Sequence, residues 1–161
     1  MDAIIHGEKI SGSLIKNAAR RRRARSSAFL RVGFKSSNSL EIDQNIRNHN
    51  VPISVVSKLS KELELNEQEA YSLVSISSST ISRRKKEGKG LKPDEAGRVY
   101  RIAAIISLAE SVLGGHERCV RWLKTPAKFL GGLVPLELLK TEAGSDEVRK
   151  LLLRIEHSVY S

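Results

Sequence analysis

Hydrophobic periodicity is weak over residues 1–50 and tightens from Val51 onward. In SVVSKLSKELEL, Val55, Val56, Leu59 and Leu63 recur at helical spacing on one face, with Ser54 placed as N-cap. Asn66 is the expected cap of EQEAYSLVSI, whose apolar positions are Ala70, Leu73, Val74 and Ile76. A third short helix, TISRRKKEG, closes at Gly88. Pro93, Asp94 and Glu95 open a long helix, because proline suits the first turn and acids favour the positive end of the dipole. Val99, Ile102, Ala103, Ile106, Ala109 and Val112 mark its face, and Gly114-Gly115 ends it. IAAII is apolar nearly all round, which predicts burial on more than one side, in a central strut or a dimer seam. The seam is expected at Ile102, Ile105, Ile106 and Ala109. ERCVRWL reads as a short helix stopped by Thr125-Pro126. The last helix is expected after Gly144-Ser145, with Val148, Leu151, Leu152 and Ile155 inward. No segment alternates as a strand would, so the chain reads as all-α.

Composition narrows this. The chain has 161 residues, 40% of them hydrophobic but only 4% aromatic, so one ordinary core must be built mainly from Leu, Ile, Val and Ala. No apolar run approaches the roughly 18 residues of a membrane span. The first residues are polar throughout, unlike a secretory leader, and one cysteine excludes an internal disulfide. A soluble, cytoplasmic protein is expected. Of the formal charge of +10, most lies in residues 1–50, around Arg20–Arg23 and Arg25. A second cluster comprises Arg83, Arg84, Lys85, Lys86 and Lys89. Basic clusters draw polyanions, because each neutralised phosphate releases counterions; a solubilising tail accounts equally well for the first cluster. Residues 1–50 are read as a flexible basic arm with a short helix near Leu14–Ala19, or as containing an over-extended start.

Ala70–Lys86 has the layout of a helix-turn-helix. An apolar helix is followed by Ile76, Ser77, Thr80, Ile81, Ser82 and Arg83 at the positions that open a second helix. Ile76 and Ile81 would plug the pair together. Ser78, Ser79, Thr80, Ser82, Arg83, Arg84, Lys85 and Lys86 are then the candidate DNA-binding residues, hydroxyls and cations suited to phosphates and base edges. Ser75 stands where such turns commonly carry glycine, and Tyr71 where a small residue is usual. The bland alternative is a helical pair with a solvated basic face. Other chemistry is thin. His116 and Cys119 lie three apart, but two ligands do not make a zinc site, and His6, His49 and His157 are scattered. Gly131-Gly132 lacks the lysine of a phosphate loop. Arg98 and Arg101 follow Asp94 and Glu95 at helical spacing and are read as surface pairs. No enzyme, metal or cofactor is expected.

The series from Gly97 to Ser161 resembles the toxin-binding domain of Xre/MbcA/ParS-type antitoxins, partners of RES-domain toxins, which degrade NAD. Its most specific residues are Arg121-Trp122-Leu123, Pro126, Gly131-Gly132, Pro135-Leu136, Leu138-Leu139, Thr141, Gly144 and the turn from Ile155 to Val159. The resemblance covers about residues 55–161. With the basic arm (1–50), for which the resemblance offers no counterpart, the chain is read as three segments, the others being a helix-turn-helix DNA-binding domain (51–92) and a toxin-binding domain (93–161). It also implies an antitoxin that caps its toxin by occlusion and represses its own operon, with Arg121, Lys124, Arg154, His157, Val159, Tyr160 and Ser161 as toxin-binding candidates. The expected partners are a RES-domain toxin, operator DNA and a second copy of the chain. A stand-alone repressor shares this fold and is the alternative; a basic RNA- or membrane-associated protein is a third class.

Overall fold

The computed structural model describes residues 3–159, and a long central helix organises them. Among the described residues the elements are α1 (Ala3–Val32), α2 (Ser39–Arg47), α3 (Ser54–Glu62), α4 (Glu67–Val74), α5 (Ser78–Glu87), α6 (Pro93–Leu113), α7 (His116–Leu123), a 3-10 turn (Lys128–Leu130), α8 (Pro135–Leu138) and α9 (Glu142–Val159), with no strand. The chain is all-α: a helix-turn-helix unit is followed by a second helical block, with α6 running between them.

α6 starts where its sequence says. Pro93 occupies the first turn, and the Glu95 carboxylate accepts the Lys92 backbone N–H at 2.8 Å. Gly114, at φ +90°, ends it in a left-handed turn that favours glycine. Between these ends α6 is packed by α1, α9 and α7, and more lightly by α2, α3 and α4. Val99, Ile102, Ala103, Ile105, Ile106 and Ala109 are buried within the one chain. The expected dimer seam at Ile102, Ile105, Ile106 and Ala109 is therefore corrected. A helix apolar all round can be enclosed by its own chain as well as by a second copy, and here α1 and α9 do the enclosing.

The N-terminal fifty residues also depart from expectation. In place of an arm with one short helix near Leu14–Ala19, α1 spans thirty residues and α2 follows it. Ala28, Phe29, Val32, Phe34 and Ile42 are core residues. Phe29 lies 5.8 Å from Phe34 and 5.3 Å from Tyr100 between ring centroids, and Arg25 sits over its ring. These apolar residues crowd the end of α1 instead of recurring along it, so periodicity over the first fifty residues is weak although the docking is not. Arg21 pairs with Glu156 near the end of α9, while Arg20, Arg22 and Arg23 stay exposed.

Two helix starts shift for local reasons. Ser54 is the first helical residue of α3, after Ile53 at the cap position, and gives no side-chain cap. Instead, Val55 N–H donates to the Pro52 carbonyl at 3.2 Å. α9 begins at Glu142, before the Gly144-Ser145 pair taken as its breaker. The Thr141 hydroxyl accepts Gly144 N–H at 3.0 Å, which caps the helix. Gly144 is needed for space: a Cβ there would lie 2.2 Å from the Leu138 carbonyl oxygen.

Candidate functional site

The helix-turn-helix is built from local capping. Asn66 Oδ1 accepts Glu69 N–H at 2.9 Å, and the Glu69 carboxylate accepts Asn66 N–H at 2.8 Å, a reciprocal box that starts α4. α4 ends at Ser75, at φ +56° and ψ +46°. That left-handed conformation is why glycine is common at this place in such turns; serine adopts it here at a cost of about 1 kcal/mol. Tyr71 is buried, and its hydroxyl donates to Glu67 at 3.0 Å. Ser77 caps α5, its Oγ accepting Thr80 N–H at 3.3 Å and donating to Thr80 Oγ1 at 2.9 Å. Ile76 and Ile81 are buried, as a plug between the helices requires.

This arrangement sets out the basic face. Ser79, Ser82, Arg83 and Lys86 stand at i, i+3, i+4 and i+7 on α5 and are all exposed, with exposed Ser78 and Lys85 beside them. Thr80 is half-buried, its hydroxyl engaged by the Ser77 cap. Arg84 does not belong to this face, contrary to expectation. It is buried and makes a two-pronged pair with Glu95, Nη2 to Oε1 at 3.1 Å and Nη1 to Oε2. A run of cations on a helix must send one inward, and the position facing α6 meets an acid there.

Glu95 therefore holds two structures at once, the start of α6 and the inner side of α5. Burial pushes its carboxyl up, but the Arg84 hydrogen bonds, the Lys92 amide and nearby cations outweigh that and hold it below the ordinary carboxylate value. Arg98 adds a second bolt: Nη1 donates to the Val74 carbonyl at the end of α4 at 3.0 Å, and Nη2 reaches Asp94 at 3.3 Å. Arg98 thus does more than the surface pairing expected of it, and Glu95 is committed to Arg84.

In the C-terminal block the predicted partner-facing residues that the structure describes sit at α7 and its end (Arg121, Lys124) and on the last turns of α9 (Arg154, His157). Arg121 is exposed and pairs with Glu117 on its own helix at 2.6 Å. Lys124 donates to the Glu64 carbonyl at 2.8 Å and so ties α7 to the end of α3. Arg154 and His157 are exposed on the last turns of α9, which Val159 closes. Tyr160 and Ser161 lie outside the described residues. Trp122 is half-buried against the core. Cys119 is fully buried, its Sγ directed to the Ile106 carbonyl at 3.7 Å, and burial pushes its thiol up to about 12. His116 points elsewhere, so the two do not pair.

Sequence reasoning missed a polar clamp between four helices. Arg31 of α1 donates from Nε to Glu62 of α3 at 2.7 Å and from Nη2 to Glu110 of α6; His116 Nδ1 of α7 lies 2.7 Å from Glu110. Ligand atoms of Glu62, Glu110 and His116 fall within 4.8 Å of one another. The Arg31 guanidinium already lies on both carboxylates and supplies the positive charge a cation would bring. No local spacing signals this set, because its members come from four separate helices.

A helix-turn-helix with a cationic outer face, bolted through α6 to a second helical block, defines a two-part DNA-binding regulator. The antitoxin Xre-like helix-turn-helix domain family matches residues 46–104, and the antitoxin Xre/MbcA/ParS C-terminal toxin-binding domain family matches residues 108–157. The chain is similar to the antitoxin Xre of Photorhabdus laumondii, 30% identical over 132 residues covering 81% of this chain and 88% of that one. The antitoxin Xre of Yersinia enterocolitica is 30% identical over 110 residues, 68% and 74% of the two chains. That of Pseudomonas putida is 36% identical over 76 residues, 47% and 48%. The chain belongs to the Xre/MbcA/ParS family of antitoxins, with a DNA-binding domain and a toxin-binding domain on one central helix. Residues 1–45, which hold α1, precede both matched segments.

Proposed function

We propose that this antitoxin neutralises a RES-domain toxin that degrades NAD, by laying the end of α9 and the residues after it over the toxin's NAD-binding cleft, and that it represses its own operon through α5. The observation that carries the reading is the form of α9. Val148, Leu151, Leu152 and Glu156 are buried, so the helix is fixed to the core almost to its end, while Arg154, His157 and Ser158 stay exposed on it. A rod held this way offers the exposed side of its last turns to a partner without the entropy cost of ordering a loose segment. Arg121 is a further exposed contact; Lys124, already tied to Glu64, orients α7.

On the DNA side the proposed contacts are Ser78, Ser79, Thr80, Ser82, Arg83, Lys85 and Lys86, with Arg84 holding α5 in place from behind. One short helix reads only a half-site, so two copies act together on an operator. With Ile102, Ile105, Ile106 and Ala109 buried in their own chain, the two copies meet through other residues. The protein works in the cytoplasm, where its operon is, and its action is binding and not turnover.

The test is co-expression of the toxin from the adjacent gene with the intact chain or with a chain lacking Val159–Ser161. The intact chain is expected to rescue growth and preserve cellular NAD. The truncated chain is expected to fold and bind the operator but fail to rescue. Rescue by the truncated chain would refute occlusion by the tail. The absence of any effect of the intact chain on a toxic neighbour would favour a stand-alone repressor.

A further inference from the structure

Between α7 and α8 the chain forms a small, tightly hydrogen-bonded tip. Ala127 N–H donates to the Leu133 carbonyl at 3.0 Å, and the Ala127 carbonyl accepts Leu130 N–H at 2.9 Å and Gly132 N–H at 3.0 Å. Gly131 and Gly132 sit at φ +67° and +79°, with nothing within 4 Å of a Cβ on either, so backbone conformation and not space demands glycine there. Leu130 and Val134 pack on the core and anchor the base of the tip. Its outer side shows Phe129, 78% exposed, and Leu133, 55% exposed.

A rigid turn that holds an aromatic ring and a leucine in water has no use in folding the chain itself. Isolated exposed leucines are ordinary; a phenylalanine and a leucine displayed together on a braced turn are not. The turn has already met the ordering cost, so burial of the pair against a partner yields most of its hydrophobic gain as affinity.

We infer that Phe129 and Leu133 form an anchor that enters an apolar depression on the toxin, outside the cleft that the end of α9 covers. This rests on the toxin-binding reading above. The occupant follows from three observations. The tip lies inside the segment matched as the toxin-binding domain, residues 108–157. Its 3-10 turn packs against α9, the helix that carries the occluding end. An eighteen-residue helix is about 27 Å long, comparable to the span of a standard-size protein interface, so one partner can cover both features. DNA is the wrong occupant, since Phe129 and Leu133 offer phosphates nothing, Lys128 is a single exposed cation beside them, and the cationic face of α5 belongs to the other domain. The partition is then between two devices: the end of α9 blocks the active site, and the tip supplies affinity that survives when the end is removed.

The experiment measures affinity of the purified full chain for a catalytically inactive form of the adjacent gene's product, by calorimetry. The comparison is among the intact chain, the double variant Phe129→Ser with Leu133→Ser, and the chain lacking Val159–Ser161. Both tip residues are exposed, so the double variant should keep its melting temperature and operator affinity. It is expected to bind the toxin about 30-fold more weakly, the scale of a lost hot spot, and the truncated chain should bind nearly as well as the intact one. Unchanged affinity of the double variant overturns the anchor and leaves the toxin-binding reading standing. Failure of the intact chain to bind overturns both. A double variant that changes from dimer to monomer at unchanged toxin affinity overturns the anchor and makes the tip an interface between copies.

Discussion

Replacing Phe29 with alanine tests whether the N-terminal helix belongs to the folded body. The ring is 1% exposed, enclosed by Phe34, Tyr100 and the Arg25 guanidinium. Removing a buried phenylalanine ring forfeits its transfer energy and leaves a cavity, together about 3–5 kcal/mol. Against a typical stability of about 5–15 kcal/mol this is a large fraction, and for a chain of this size it corresponds to a fall in melting temperature of roughly 6–20 °C. Leu30 is the control: it is the next residue on the same helix but 52% exposed, and its alanine variant should change stability by less than about 0.5 kcal/mol. Urea unfolding followed by circular dichroism reads both. If Phe29→Ala and Leu30→Ala unfold at the same urea concentration, α1 is not docked on α6, and the flexible arm expected from periodicity is the better description.

Four further outcomes follow from the interior of the molecule and from the basic face. Glu95→Gln leaves Arg84 buried without its counter-charge and should cost about 3–5 kcal/mol, measured by the same unfolding assay. Because the folded chain holds the Glu95 carboxyl below its ordinary value, the stabilisation from Glu95 is complete above about pH 4.5 and fades as pH falls through the lower folded value; Glu95→Gln should flatten that acid limb. Arg83→Ala with Lys86→Ala should weaken operator binding and make the slope of log K against log salt shallower by about 0.9 for each phosphate no longer neutralised; an unchanged slope refutes this face as the DNA-binding surface. Cys119 should resist thiol reagents in the folded chain and react once it is unfolded in concentrated guanidinium, because its thiol is buried and held protonated.

The legible parts of this molecule were those whose signals are local. Asn66 with Glu69, Pro93 with Glu95 and Gly114 each act within a turn of where they stand, so the ends they mark could be read directly. The helix-turn-helix was readable for the same reason, with Ile76 and Ile81 five residues apart and the exposed face of α5 following from helical spacing. Gly144 misled because a glycine that breaks a helix and one that lets a neighbouring carbonyl approach look alike in a sequence. The inward turn of Arg84 and the four-helix clamp around Arg31 were not readable at all. Their partners lie on separate elements, and no short-range pattern records which faces will meet.

The sequence by itself determined an all-α chain, the start of α4, the end of α5, both ends of α6, the helix-turn-helix and most of the residues of α5 that face outward, because these depend on spacing and capping over a few residues. Only the tertiary structure decided what encloses α6, that the end of α1 docks through Phe29, that Arg84 is spent on Glu95, and that Phe129 and Leu133 are left in water. Burial is a property of which surfaces come together. An apolar face marks the need for a cover, and only the packed chain shows whether that cover is its own or another molecule's.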